Sequence, residues 1–207
     1  MNDLPNGIDE GYVKYVCDWR EGPAPDPIFV DDLNQWRAPL HAAGLIGHDD
    51  THDVGFGNLS VRGPADGQFV ISGTQTGHIE DTTGEHYSLV TLVDIAANRV
   101  RCIGPVHASS EAMTHAALYK LDGAIGAVVH VHSRKLWSYF RGRIPTTDAG
   151  VPYGTPAMAE EFRRLWHATD FPKQGVAVMA GHYDGLLSVG PTLADATRRM
   201  LDLKVPR

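Results

Sequence analysis

The chain is poor in cysteine, with only Cys17 and Cys102 among 207 residues. Two cysteines so far apart make no disulfide framework, and their spacing matches neither a zinc ribbon nor a redox dithiol motif. A reducing, cytoplasmic setting is therefore expected. Long apolar runs are also missing, and the opening MNDLPNGIDEGYVKYV has neither the basic start nor the apolar stretch of a secretory leader. No membrane partner is expected. Positive charge is in deficit: 18 Lys and Arg stand against 25 Asp and Glu, a net charge of -7. Binding along a phosphate backbone depends on clustered Lys and Arg, so a nucleic-acid partner is excluded, whereas a local anion pocket is not.

What is present is enough for one core. With 43% hydrophobic and 21% charged residues, a chain of this length falls in the range of a single domain. Residues 1–29 show little apolar periodicity and end in the Pro-rich EGPAPDPIF, which reads as an N-terminal arm before a domain over 30–207. From Asp31, Leu33, Trp36, Leu40 and Leu45 recur at helical spacing toward Gly44 or Gly47, with Pro39 as the weak point. Further helices are predicted over SSEAMTHAALYKL, capped by Ser109 or Ser110, over TPAMAEEFRRLWHA, opened by Thr155 and Pro156, and over TLADATRRMLDL. QFVISG, SLVTLVDI, AIGAVVHVH, GVAVMAG and GLLSV read as short strands. The fold class is mixed α/β, with helices covering a sheet.

Eleven histidines are many for this length. Those at His41, His48, His52 and His78 show no ligand spacing and read as surface or satisfied core residues. In AVVHVH, strand alternation puts His130 and His132 on one face and Val129 and Val131 on the other. Two imidazoles so placed can chelate one ion, although a strand pair can also just line a polar surface. A third ligand is needed, and His115 and His182 are the candidates. His115 follows Glu111 by one helical turn, whereas His182, in MAGHYDG, sits at a strand-end turn, where a ligand can be aimed into a cleft. The turn favours His182, with His115 as the alternative. Three neutral nitrogens suit Zn²⁺ and leave a position for substrate oxygen. Glu111 supplies a carboxylate for proton transfer, although a helix-start Glu is also explained by the macrodipole.

Three other segments can cradle an anion without lysine: Gly57-Asn58, Ser72-Gly73 with Thr74, and Ser109-Ser110 at a helix start. Each alone is equally a turn or a cap.

The ordered set GNLSVR, ISGT, ASSEAMTHAALY, AVVHVHS and GHYDGLLSVG resembles the class II aldolase/adducin family, which includes fuculose-phosphate aldolase, from about Asp31 to Leu203. The resemblance implies a central, mainly antiparallel sheet between helical layers, and a cytoplasmic homotetramer with sites at subunit interfaces. It further implies a divalent metal, usually zinc, on His130, His132 and His182, with Glu111 as acid/base. Substrate phosphate would fall to Gly57, Asn58, Ser72, Gly73, Ser109 and Ser110, and His115 would not be a ligand. The implied activity is a lyase that cleaves a carbon–carbon bond in a small phosphorylated sugar through a metal-stabilised enediolate.

The chain departs from fuculose-phosphate aldolase after the HxH strand. SRKLWSYFRGRIPTTDAGVPYG is shorter, and the two tyrosines that assist that enzyme have no evident counterpart; Tyr139, Tyr153 and Tyr183 are the substitutes to consider. Dehydration of methylthioribulose phosphate and decarboxylation of a sugar-acid phosphate are alternatives on the same metal scaffold. Ribulose-phosphate epimerase usually carries Asp in place of Glu111. A non-catalytic, adducin-like interaction module is disfavoured because all three histidines and Glu111 are kept. A cupin would be built almost wholly from strands, against the helices predicted here.

Overall fold

The computed structural model describes residues 12–206. Strand β1 (Val16–Arg20) is followed by α1 (Pro27–Ala42) and then by the hairpin of β2 (Gly47–Asp49) and β3 (Val54–Phe56). Four strands come next, β4 (Asn58–Arg62), β5 (Phe69–Ser72), β6 (Tyr87–Asp94) and β7 (Arg99–Ile103). The remainder is α2 (Ala112–Leu121), β8 (Ala127–His132), α3 (Arg134–Phe140), α4 (Pro156–Ala168), α5 (Phe171–Gln174), β9 (Val176–Val178), β10 (Gly185–Gly190) and α6 (Leu193–Leu201).

Eight strands form one sheet in the order β1-β7-β6-β5-β4-β8-β10-β9. The pairings are antiparallel except for β1 on β7, which is parallel. Each face of the sheet has its own core. On one face Phe69, Ile71, Val128 and Leu187 pack with Met113 of α2 and with Met158, Phe162 and Leu165 of α4. On the other, Leu59, Val129, Val131 and Leu186 pack with Leu33 and Leu40 of α1 and Met200 of α6. This is the expected antiparallel sheet between helical layers, and its helices exclude a cupin.

Boundaries near the N-terminus differ from expectation. Residues 16–20, read as part of an arm, are an edge strand whose Cys17 and Trp19 pack on the core. Helix α1 starts at Pro27 rather than Asp31, because Asp26 caps it by accepting from the Ile28 amide (3.0 Å) and Pro27 fills the first helical position. The arm thus joins the sheet, and its residues 1–11 lie outside the described residues. Pro39 does not break α1, which runs on to Ala42 before Gly44 turns left-handed at φ 67°. Helix α3 was not foreseen; Ser133 caps it by accepting from the Leu136 amide. No helix among the described residues is long and apolar enough to cross a membrane.

Helix α2 docks on β4 through a buried polar trio. The Ser60 hydroxyl lies 2.7 Å from His115 Nδ1 and 2.7 Å from the Tyr119 hydroxyl. Burial pushes the His115 imidazole down to about 3 from 6.5. The folded protein keeps His115 neutral where an unfolded chain would protonate it, so its contribution is constant above the unfolded value. Between about pH 6.5 and 3 the unfolded state binds the extra proton, and stability falls with acid by ~1.4 kcal/mol per pH unit for this one group. In urea denaturation between neutral and mildly acidic pH, His115→Gln should flatten the dependence relative to wild type. Equal slopes would assign the acid sensitivity to other groups.

Candidate metal centre

Strand β8 lies between β4 and β10, with His130 opposite both Asn58 and Leu187, and His132 opposite Gly185. Both histidines point toward the α2 side, away from the core that takes Val129 and Val131. Leu186 O is 3.0 Å from His130 Nδ1 and fixes that ring. The Nε2 atoms of His130 and His132 then face each other at 3.0 Å. His182 comes from the turn between β9 and β10, and its ring stacks on His130 with centroids 4.9 Å apart. Gly185 keeps this corner open: a Cβ there would sit 3.2 Å from both His130 Cε1 and the His182 ring.

One ligand atom from each of His130, His132 and His182 can be chosen so that all lie within 4.8 Å of one another. His115, the alternative, falls outside this group. Two nitrogens bound to one tetrahedral zinc are about 3.3 Å apart, since each Zn–N bond is ~2.0–2.1 Å. The facing Nε2 atoms are close to that spacing.

Glu111 occupies the N-cap of α2, with Ser109 and Ser110 still in the preceding loop. The helix starts later than predicted because Ser109 N donates to Ser72 O (3.1 Å) and Ala108 bridges Gly73, which keeps the loop extended. Glu111 is 1% exposed and its Oε1 lies 3.1 Å from His182 Nδ1. Burial pushes the carboxyl up, but the imidazoles of His182 and His130 outweigh it and hold the group at about 2. Neither carboxylate oxygen completes a well-formed hydrogen bond among the described residues. A buried acceptor with spare capacity beside three converging imidazoles fits a divalent cation in both charge and donor type.

The expected anion segments converge in part. Gly57, Asn58, Gly73, Ser109 and Ser110 line one notch of about 10 Å³, together with the 74–77 loop. That is room for one water, so a phosphate there would require the loop or the serine side chains to move. Ser72 is not brought to the notch: its hydroxyl accepts from the Leu59 amide (3.1 Å) and is buried against β4. Gly57 is required on steric grounds, since its φ is 79° and a Cβ would strike Ile46.

A cavity of about 950 Å³ opens beside the histidines, and His132, His182, Arg134 and Tyr183 contribute to its wall. The β2–β3 hairpin also lines it, with Asp49, Asp50, His48 and His52, the two histidines read above as surface or satisfied core residues. The run GHDDTHDVG is polar between glycines, a turn signal left without an assigned element above, and nothing local shows that it would face the cluster. Of the three tyrosines, Tyr183 lines this cavity, Tyr153 stacks on His182, and Tyr139 packs on Phe140.

The notch depends on a buried cation. Arg37, 2% exposed, donates to the carbonyls of Glu80 (3.1 Å), Thr76 (3.0 Å) and Gly77 (3.2 Å), tying the 76–80 loop to α1. Arg37→Met keeps the stem but leaves these carbonyls without their donor. It should cost about 2–4 kcal/mol in urea unfolding. A loss below ~0.5 kcal/mol, the range of an ordinary surface change, would mean the loop holds without it.

Comparison with known proteins agrees with this architecture. The family model for the class II aldolase and adducin N-terminal domain matches residues 40–204. Among solved structures, YgbL from Klebsiella pneumoniae superposes with a TM-score of 0.63 at 21% identity, covering 86% of each chain. An L-fuculose 1-phosphate aldolase gives a TM-score of 0.63 at 16% identity, covering 86% of this chain and 82% of its own. A sugar-phosphate aldolase from Thermotoga maritima gives 0.62 at 14%, covering 84% and 90%. At such identities the structures bear on the fold alone, and a sequence comparison with curated proteins finds no match. With most of its length under the family model, the chain belongs to the class II aldolase and adducin family.

Proposed function

We propose that the protein is a metal-dependent lyase of the aldolase type, acting on a small phosphorylated sugar. The observation that carries this reading is the meeting of His130, His132 and His182 with the buried Glu111 carboxylate, 3.1 Å from His182. The three imidazoles would hold a divalent ion, with zinc the best match to a neutral three-nitrogen set. When bound, such an ion supplies Lewis-acid stabilisation for the negative charge that carbon–carbon cleavage leaves on the substrate.

The chain's own residues do the rest. Glu111, ionised and screened from water, takes or returns the proton at the reacting carbon or hydroxyl. Gly57, Asn58, Gly73, Ser109 and Ser110 hold the phosphate, with the loop movement noted above. Ser72 contributes through position only, because its hydroxyl is committed to β4. The cavity beside His132 and His182 gives the remaining sugar chain room.

Purified protein should carry about one divalent ion per chain by elemental analysis. His130→Ala, His132→Ala or His182→Ala should each remove most of it, while Glu111→Gln should retain metal and lose about 10²–10⁴-fold in kcat. A panel of ketose 1-phosphates and sugar-acid phosphates identifies the reaction: aldol cleavage releases dihydroxyacetone phosphate and an aldehyde, whereas dehydration yields an unfragmented diketone phosphate. Metal-loaded Glu111→Gln with wild-type turnover would remove Glu111 from the mechanism.

For the phosphate, Ser109→Ala with Ser110→Ala should raise KM more than it lowers kcat, because the group is remote from the reacting bond. Equal activity on the unphosphorylated sugar would defeat that assignment.

A further inference from the structure

Two of the three histidines are fixed by their strand, but His182 stands on a turn and its ring must be oriented by packing. It stacks on His130. It also stacks on Tyr153, with ring centroids 4.2 Å apart and planes inclined by 21°. Tyr153 is itself in a loop, between α3 and α4, yet it is 1% exposed. Its hold comes from the N-terminal segment. The Tyr153 hydroxyl accepts from the Tyr12 amide (3.0 Å) and donates to the Tyr12 carbonyl (3.2 Å). The Lys14 ammonium sits 3.6 Å from the Tyr153 ring centroid. One residue on, the Tyr15 hydroxyl donates to Ser109 O at 2.8 Å, in the loop that presents Glu111.

We propose that Tyr153 is the positioning residue for His182, and that the segment Tyr12–Tyr15 is the brace that keeps Tyr153 on that ring. This rests on the metal-centre reading above. The physical reason is geometric: a stacked ring confines the imidazole plane, and a metal ligand must hold its lone pair on the ion. The N-terminal segment would thus belong to the metal centre although it contributes no ligand.

The test uses the full chain, stripped by a chelator and titrated with Zn²⁺ against a chromophoric competitor, and with Co²⁺ followed by visible absorption. Tyr153→Leu removes the aromatic face and should weaken Zn²⁺ binding by about 10–100-fold, as loss of a supporting residue typically does, with an altered Co²⁺ spectrum. Tyr153→Phe keeps the stack and the Lys14 contact and should stay close to wild type. Tyr153→Phe with Lys14→Ala releases the brace while filling the same space, and should weaken binding by about 10-fold, the lower end of that range. If Tyr153→Leu does not fold, the double variant carries the test. A residue that only fills the core would lose stability in these variants, not affinity measured well below the unfolding transition. Wild-type affinity and Co²⁺ spectrum in folded Tyr153→Leu, or wild-type affinity in the double variant, overturns the proposal alone. A wild-type protein that binds no divalent metal overturns the metal-centre reading and this proposal together.

Discussion

The placement of β8 in the sheet governs the rest of the site. Antiparallel ladders from β4 and β10 fix it on both sides, with His130 opposite Asn58 and Leu187. Because side chains alternate, the same register that drives Val129 and Val131 into the α1 and α6 core leaves His130 and His132 on the α2 face. A slip of one residue would put the two imidazoles among the leucines of the α1 and α6 core and the two valines at the metal centre. Hydrophobic burial of the valines is therefore what aims the histidines. The same ladders bring Asn58 from β4 beside His130, and Gly185 from β10 beside His132.

A carboxylate and two histidines at 1–2% exposure are costly to bury, and the surrounding structure limits the cost. Leu186 O fixes the His130 ring, and His182 Nδ1 lies against Glu111 and, with His130, holds that carboxyl low despite its burial. Away from the cluster on the same face, the Ser60 hydroxyl joins His115 Nδ1 and the Tyr119 hydroxyl in a separate polar trio. This division separates a helix histidine that docks α2 from the strand and turn histidines that converge. The chemical types are the same, and only their neighbours differ.

The site is also held by elements outside the ligand-bearing strands. Arg37 ties down the loop beside the anion notch, and the N-terminal segment meets both Tyr153 and the Ser109 loop. These contacts span the chain, with Tyr12 and Tyr153 separated by 141 positions. Such long-range pairings order loops that local structure leaves undetermined.

Local patterning determined much of this protein. The β8 run, the Thr155-Pro156 and Thr192 helix starts, the buried face of α4 and the shared side of His130 and His132 follow from period and capping, which depend on near neighbours only. The ordered motifs added the family and agreed with the choice of Glu111 and His182 already made from the helix start and the strand-end turn. Tertiary structure alone decided the remainder. Val16–Arg20 became a strand because β7 offered it an edge, and Pro27 could start α1 because Asp26 turned back to cap it. The Ser72 hydroxyl was claimed by the Leu59 amide of a neighbouring strand and lost to the notch. The hairpin of His48 and His52 came to face the histidine cluster, and Tyr153 came to lie on His182. A sequence pattern reports what each residue prefers among its immediate neighbours, whereas these placements depend on which distant backbone or ring occupies the adjoining space.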